Sequence, residues 1–250
     1  MKKRIFSLLL SAFMVMGLAA CGSTHGPDSA GDSSEAQTST PAQTEESTEA
    51  AAGDTSEDEA SEQTEDGKSL VVYFSMPETT NPDNMNAEEE YSTVVIDGEV
   101  LGNTQYVAYV IQENTGADIF RIEPVTPYPM NHAELEEVAT EEKRNNAMPE
   151  IAMQVENIEQ YEIIFLGYPN WYADMPRIIY SFLEQYDLSG KTIIPFVTSG
   201  GSGFSNTIST ITDLEPDANV ITDGLSISRM AVQDAEQEII QWVTNLGYAK

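Results

Sequence analysis

Cysteine is almost missing from this chain, where Cys21 stands alone. Without a second thiol, neither an internal disulfide nor a cysteine-based metal cluster can form. Histidine is nearly as scarce: His25 lies in a polar stretch, and His132 reads as a surface residue at a helix start. A histidine triad or metal site would have one domain histidine to draw on, so no catalytic residue and no metal site is predicted. Positive charge is thin as well. Lys and Arg number 11 against 42 Asp and Glu, a formal net charge of −31, which repels nucleic acid and anionic lipid surfaces. The common phosphate-binding and hydrolase fingerprints are absent too. After Gly201 and Gly203 the sixth position holds Asn206, Phe204 stands where a nucleophile elbow on Ser202 needs glycine, and no Walker sequence occurs.

Apolar runs are also short. Lys2, Lys3 and Arg4 precede an apolar stretch over residues 5–18; at about fourteen residues it falls short of the roughly twenty that a spanning helix needs. The pattern predicts a secretion signal over residues 1–20 rather than a permanent transmembrane helix. Leu18-Ala19-Ala20-Cys21-Gly22 resembles the lipobox of bacterial lipoproteins. That resemblance implies cleavage before Cys21, a diacylglyceryl thioether on its sulfur, and an extracytoplasmic domain touching the membrane through this anchor only, with several acyl chains for stable attachment. Residues 21–67 are Ser, Thr, Glu, Asp, Ala, Gly and Gln with almost no large apolar side chain. Such a segment cannot offset the entropy of ordering and is predicted to be a disordered acidic tether. As a random coil it would span roughly 37 Å, as a spacer or simply a solvated tail.

Residues 68–250 alternate strand-like and helix-like segments, the mark of an α/β domain with a parallel sheet covered on both faces. Strands are predicted over 69–75, 117–122, 161–167, 191–197 and 219–222, the last continuing past Gly224 or stopping before it. Helices are predicted over 104–114, 132–145, 177–185, 205–214 and 232–246. One intrusion of roughly 26 residues, a length that usually signals function, follows the first strand. Within it Thr93-Val94-Val95-Ile96, the Asp97-Gly98 turn and Glu99-Val100-Leu101 read as a hairpin. That hairpin is expected to bulge outward and leave Ser75 beside Asn103.

Ligands of open α/β sheets bind beyond the carboxyl ends of the strands, which singles out three loops. The first leaves Ser75 and enters a helix at Gly102-Asn103-Thr104. Unpaired amides and the dipole of a helix N-terminus can hold a phosphate without Lys or Arg, and Gly102 permits close approach; an ordinary N-cap reads the same. The second, Tyr168 through Pro176, is stiffened by Pro169 and Pro176 and carries Asn170, Trp171 and Tyr172. An indole there either faces a flat heteroaromatic ring or fills the core. The third joins Thr198, Ser199, Gly200, Gly201, Ser202 and Gly203, bare backbone suited to a close ligand or to a flexible turn.

Taken together, Tyr73-Phe74-Ser75 leading to Gly102-Asn103-Thr104, then Ile164 through Trp171 with Met175-Pro176, then Leu188-Ser189-Gly190-Lys191 and Pro195 through Gly203 resemble the flavodoxin family. The resemblance covers nearly all of residues 69–250. It implies a flavodoxin-like doubly wound five-stranded parallel sheet, order 2-1-3-4-5, with the hairpin insert after strand 1. It also implies noncovalent flavin mononucleotide (FMN). Ser75, Asn103 and Thr104 would bind its phosphate; Pro169, Asn170, Trp171 and Tyr172 would flank the isoalloxazine. Thr198, Ser199, Gly200, Gly201 and Gly203 would meet the pyrimidine side or ribityl chain. The insert is a departure, since it splits a phosphate loop that is usually contiguous. The expected activity is electron transfer between an unidentified redox donor and acceptor. A nicotinamide-dependent FMN or quinone reductase and a flavin-free surface binding module stand as alternatives.

Overall fold

The computed structural model describes residues 67–250; the secretion signal, Cys21 and nearly all of the tether lie outside the described residues. The elements run β1 Lys68–Tyr73, α1 Ala87–Ser92, β2 Thr93–Ile96, β3 Glu99–Gly102, α2 Asn103–Thr115, β4 Asp118–Arg121, α3 His132–Asn145 and β5 Tyr161–Pro169. Then come α4 Arg177–Gln185, β6 Thr192–Ser199, α5 Thr207–Leu214, β7 Asn219–Val220, β8 Leu225–Ser228 and α6 Glu236–Asn245. The main sheet has order β4-β1-β5-β6, with β7 and β8 both on the far side of β6. Every ladder in it is parallel, so the order 2-1-3-4-5 holds with the fifth place shared by two short strands.

Both faces of the sheet are dry because its central strands are apolar at successive positions. On one face Val72, Phe74, Ile164 and Leu166 pack with Leu135 of α3, Ile178 and Phe182 of α4 and Ile211 of α5. On the other, Val71, Phe165 and Ile194 meet Val107 and Ile111 of α2 and Ile239 and Val243 of α6. The break in the fifth strand falls at Gly224, where a Cβ would lie 2.5 Å from the Pro195 carbonyl oxygen and 2.7 Å from the Phe204 ring. From Ile193↔Val220 to Phe196↔Leu225 the edge strand advances further than β6 does, and the extra residues interrupt the ladder.

The insert is more than a hairpin. Its β2 and β3 pair antiparallel from Thr93↔Gly102 to Ile96↔Glu99, around Asp97 (φ 52°) and Gly98 (φ 84°), as the Asp-Gly turn predicts. It does not bulge outward, however. Val94 and Leu101 are buried in the same cluster as Val107 and Val232, because a hairpin with apolar residues on one face gains by folding onto the core. Helix α1, absent from the sequence reading, precedes it. Asn86 caps it with a reciprocal pair of bonds: Glu89 N–H donates to Asn86 Oδ1 (3.0 Å) and Asn86 N–H to Glu89 Oε2 (2.7 Å).

Far from the crevice, burial and the neighbouring Asp187 push the Glu215 carboxyl up to about 7. A folded-state pKa above the unfolded value of 4.5 contributes stability that is present below 4.5 and lost as pH rises through about 7. Glu215→Gln is therefore expected to equal the parent at pH 5 and exceed its stability at pH 8. The difference should be on the order of 1 kcal/mol once solvent screening is allowed for. Urea midpoints at the two pH values measure it, and a gap that does not change with pH would contradict the assignment.

Candidate functional site

A crevice of about 290 Å³ opens above the carboxyl ends of β1, β5 and β6. Ser75, Asn103, Thr104, Pro169, Asn170, Trp171, Thr198, Ser199 and Gly200 all line it, so the three loops singled out by position converge on one place. Hydrogen bonds lock them to one another. The Thr104 and Thr198 hydroxyls lie 2.8 Å apart, buried. Asn170 N–H donates to Thr198 O at 2.8 Å, and its Nδ2 to Gly203 O at 2.7 Å.

The insert leaves Ser75 against the start of α2. Ser75 is packed so closely against Gly102 that a Cβ on Gly102 would overlap the Ser75 Oγ, and only glycine allows that approach. Gly102 stands behind the lining, its N–H given to Gln105 Oε1 at 3.2 Å. The next amides, on Asn103, Thr104 and Gln105, belong to the first turn of α2 and have no intrahelical acceptor. That turn carries no acidic residue. Asn103 Nδ2 donates to Tyr91 O at 2.7 Å, while its buried Oδ1 has no partner.

The second loop is built to split its two aromatic residues. Tyr172 and Ala173 sit at φ 54° and 60°, and Trp171 and Asp174 exchange N–H···O bonds of 2.9 and 3.0 Å around them. The left-handed backbone is strained for residues with a Cβ, and it is held from outside by Lys143, which donates to Tyr172 O at 2.7 Å. Trp171 turns inward, edge-to-face with Phe74 and Tyr128 at 5.5 and 5.6 Å, and still lines the crevice. Tyr172 turns outward and is 48% exposed.

In the third loop Ser199 organises the glycines. Its Oγ accepts from Gly201 N–H (3.3 Å) and Gly203 N–H (3.0 Å), so those two amides are spent inside the loop. Thr198, Ser199 and Gly200 remain facing the crevice, while Gly201 and Gly203 do not line it.

Among the lining residues not foreseen are Glu78, Glu88 and Tyr91 of the insert, and Arg229 just past β8. The insert thus forms one wall. His132, read as a solvated helix start, does begin α3, but it also lines the crevice and bonds Glu78 Oε2 through Nδ1 at 2.9 Å. Burial pushes the Glu78 carboxyl up, opposed by that bond; the same bond makes the imidazole hold its proton more tightly. The capping pattern from Asn86 to Glu89 was the available signal for α1, whereas nothing local to Arg229 marks it. Among the described residues, no cluster could hold a metal ion, and no helix is long and apolar enough to cross a membrane.

The flavodoxin family model matches residues 92–246. This chain belongs to the flavodoxin family. The match begins at Ser92, so β1 and the first part of the insert lie outside it. Among solved structures, this flavodoxin domain is similar to a candidate flavoprotein from Bacteroides eggerthii DSM 20697, with 28% identity, TM-score 0.52, and 72% of this chain and 98% of that one covered. A Bacteroides uniformis counterpart shares 25% identity at TM-score 0.49, covering 71% of this chain and 98% of its own. A Lactobacillus acidophilus flavoprotein in complex with FMN shares 19% at TM-score 0.49, covering 67% and 97%. No curated protein matches the chain.

Proposed function

We propose that this flavodoxin-family domain binds flavin mononucleotide noncovalently in the crevice above β1, β5 and β6. It would serve electron transfer between a redox donor and acceptor, outside the cytoplasmic membrane, on a lipid carried by Cys21. The observation that carries the binding reading is the first turn of α2: Asn103 and Thr104, whose amides have no acceptor within the helix, line a crevice walled by hydroxyls and an indole. The residues fit the group. The amides of Asn103 and Thr104 with the Ser75 and Thr104 hydroxyls suit a phosphate. Asn103 Oδ1, buried and unpartnered, offers an acceptor to a ligand hydroxyl. Trp171 supplies an apolar face for a flat ring.

When bound, flavin mononucleotide supplies the redox chemistry, and the chain supplies binding, orientation and electrostatics. The anchoring part of the reading is supported by Lys2, Lys3 and Arg4, the apolar run, and Leu18-Ala19-Ala20-Cys21.

The purified full chain is expected to take up flavin mononucleotide, quench its fluorescence and show a bound-flavin absorption spectrum. Thr104→Val, which removes a buried hydroxyl at nearly constant volume, is expected to weaken binding about tenfold. Unchanged affinity would remove Thr104 from the phosphate site. A chain that leaves added flavin unquenched would instead favour a flavin-free binding module. Stopped-flow mixing of the loaded chain with NAD(P)H separates carrier from reductase, with slow reduction expected for the carrier.

A further inference from the structure

Among the described residues, Arg229 is the one lysine or arginine that lines the crevice. Although acidic residues outnumber basic ones by 42 to 11, its guanidinium forms no ion pair with any carboxylate among the described residues, and it lines the crevice. Its place is fixed by three contacts. Arg229 N–H donates to Ser199 O at 2.8 Å, continuing the β6–β8 ladder. The guanidinium stacks on the Tyr91 ring at 4.5 Å. It also lies over Gly200, where a Cβ would come within 3.3 Å of its Cζ.

Tyr91 ties this cation to the anion-binding end of α2, because its carbonyl accepts the Asn103 Nδ2 bond. The stacked guanidinium and the helix N-terminus are therefore joined through one residue of the insert. Electrostatics gives that juxtaposition a purpose. The crevice wall carries Glu78 and Glu88, while a helix end supplies only about half a positive charge. Glu78 is already engaged with His132; Glu88 would still repel a dianion that the helix end alone had to hold. A guanidinium with free N–H donors reverses that balance.

We propose that Arg229, seated on Tyr91 and Gly200, is a specificity-determining residue that reads the phosphate of the ligand, so that the crevice takes a phosphorylated flavin and discriminates against the unphosphorylated one. The proposal deepens the flavin mononucleotide reading and rests on it.

Dissociation constants of flavin mononucleotide and riboflavin for the full chain, by fluorescence quenching at low and high salt, test it. The parent is expected to bind the phosphorylated ligand at least tenfold more tightly. Arg229→Gln should remove most of that preference, by weakening flavin mononucleotide while leaving riboflavin unchanged, and should flatten the salt dependence. Arg229→Lys should keep part of the preference through its charge. Tyr91→Ala, which removes the seat but not the cation, should fall between parent and Arg229→Gln. Equal losses for both ligands in Arg229→Gln would mean that the arginine only holds the insert in place, and would overturn the proposal, as would no change for either. A parent that binds neither flavin overturns the underlying flavin reading, a distinct result from a parent that binds both but ignores Arg229→Gln.

Discussion

The Gly167→Val chain is expected to unfold about 6 °C or more below the parent, a loss of about 3 kcal/mol. Gly167 lies in the middle of the sheet, in register with Tyr73 on β1 and Phe196 on β6. A Cβ built there would sit inside the Phe196 ring. Phe196 is fully buried among the large core side chains, so neither ring nor backbone can retreat without disturbing both neighbours. The cause is tested by the double substitution. Phe196→Ala alone should cost about 3–5 kcal/mol for the cavity it leaves, but combined with Gly167→Val it should cost clearly less than the sum, because the valine fills space the ring has vacated. A Gly167→Val chain melting within about 1 °C of the parent would show that the ring moves aside freely.

Trp171→Ala is expected to weaken flavin mononucleotide binding by about ten- to a hundredfold, the range for losing one aromatic stacking surface of ~1–3 kcal/mol. The indole is held upright by Phe74 and Tyr128 and backed by the Trp171–Asp174 turn, so its orientation is set before any ligand arrives and little entropy remains to be lost on binding. Trp171→Phe should retain most of the affinity. Because the same indole packs against the core, melting without ligand should accompany the titration. If Trp171→Ala lowers stability but binds flavin like the parent, the residue is core packing only, and the ring-facing role is wrong.

Much of this architecture was readable along the chain because its strongest signals are local. The apolar run from Ile163 to Tyr168 can only be a buried strand, and α3 and α4 have the predicted limits because Asn131 caps one and Pro176 precedes the other. Asp97-Gly98 marked its turn through the positive φ values it can tolerate. The site was legible to the extent that strand ends and glycines announce themselves. What escaped depends on residues distant in sequence. Arg229 and Tyr91 meet only because β8 ends beside the insert, and no periodicity records that. Gly201 and Gly203 were expected at a ligand, yet the Ser199 hydroxyl takes their amides, a competition that composition cannot reveal. The outward hairpin failed for a related reason: a two-residue turn specifies a ribbon but not which surface it will cover.

The hydroxyl pair between Thr104 and Thr198 joins residues 94 positions apart, and Asn170 clasps the third loop from the second. No fragment of the chain can possess this crevice; it exists only once every central strand is in place. Occupancy and global folding are thus linked, and a guest at a hundred times its dissociation constant would add about 2.7 kcal/mol to the stability of the whole domain. The crevice acts as a gauge of completed assembly, and whatever it takes up becomes a structural member of the protein.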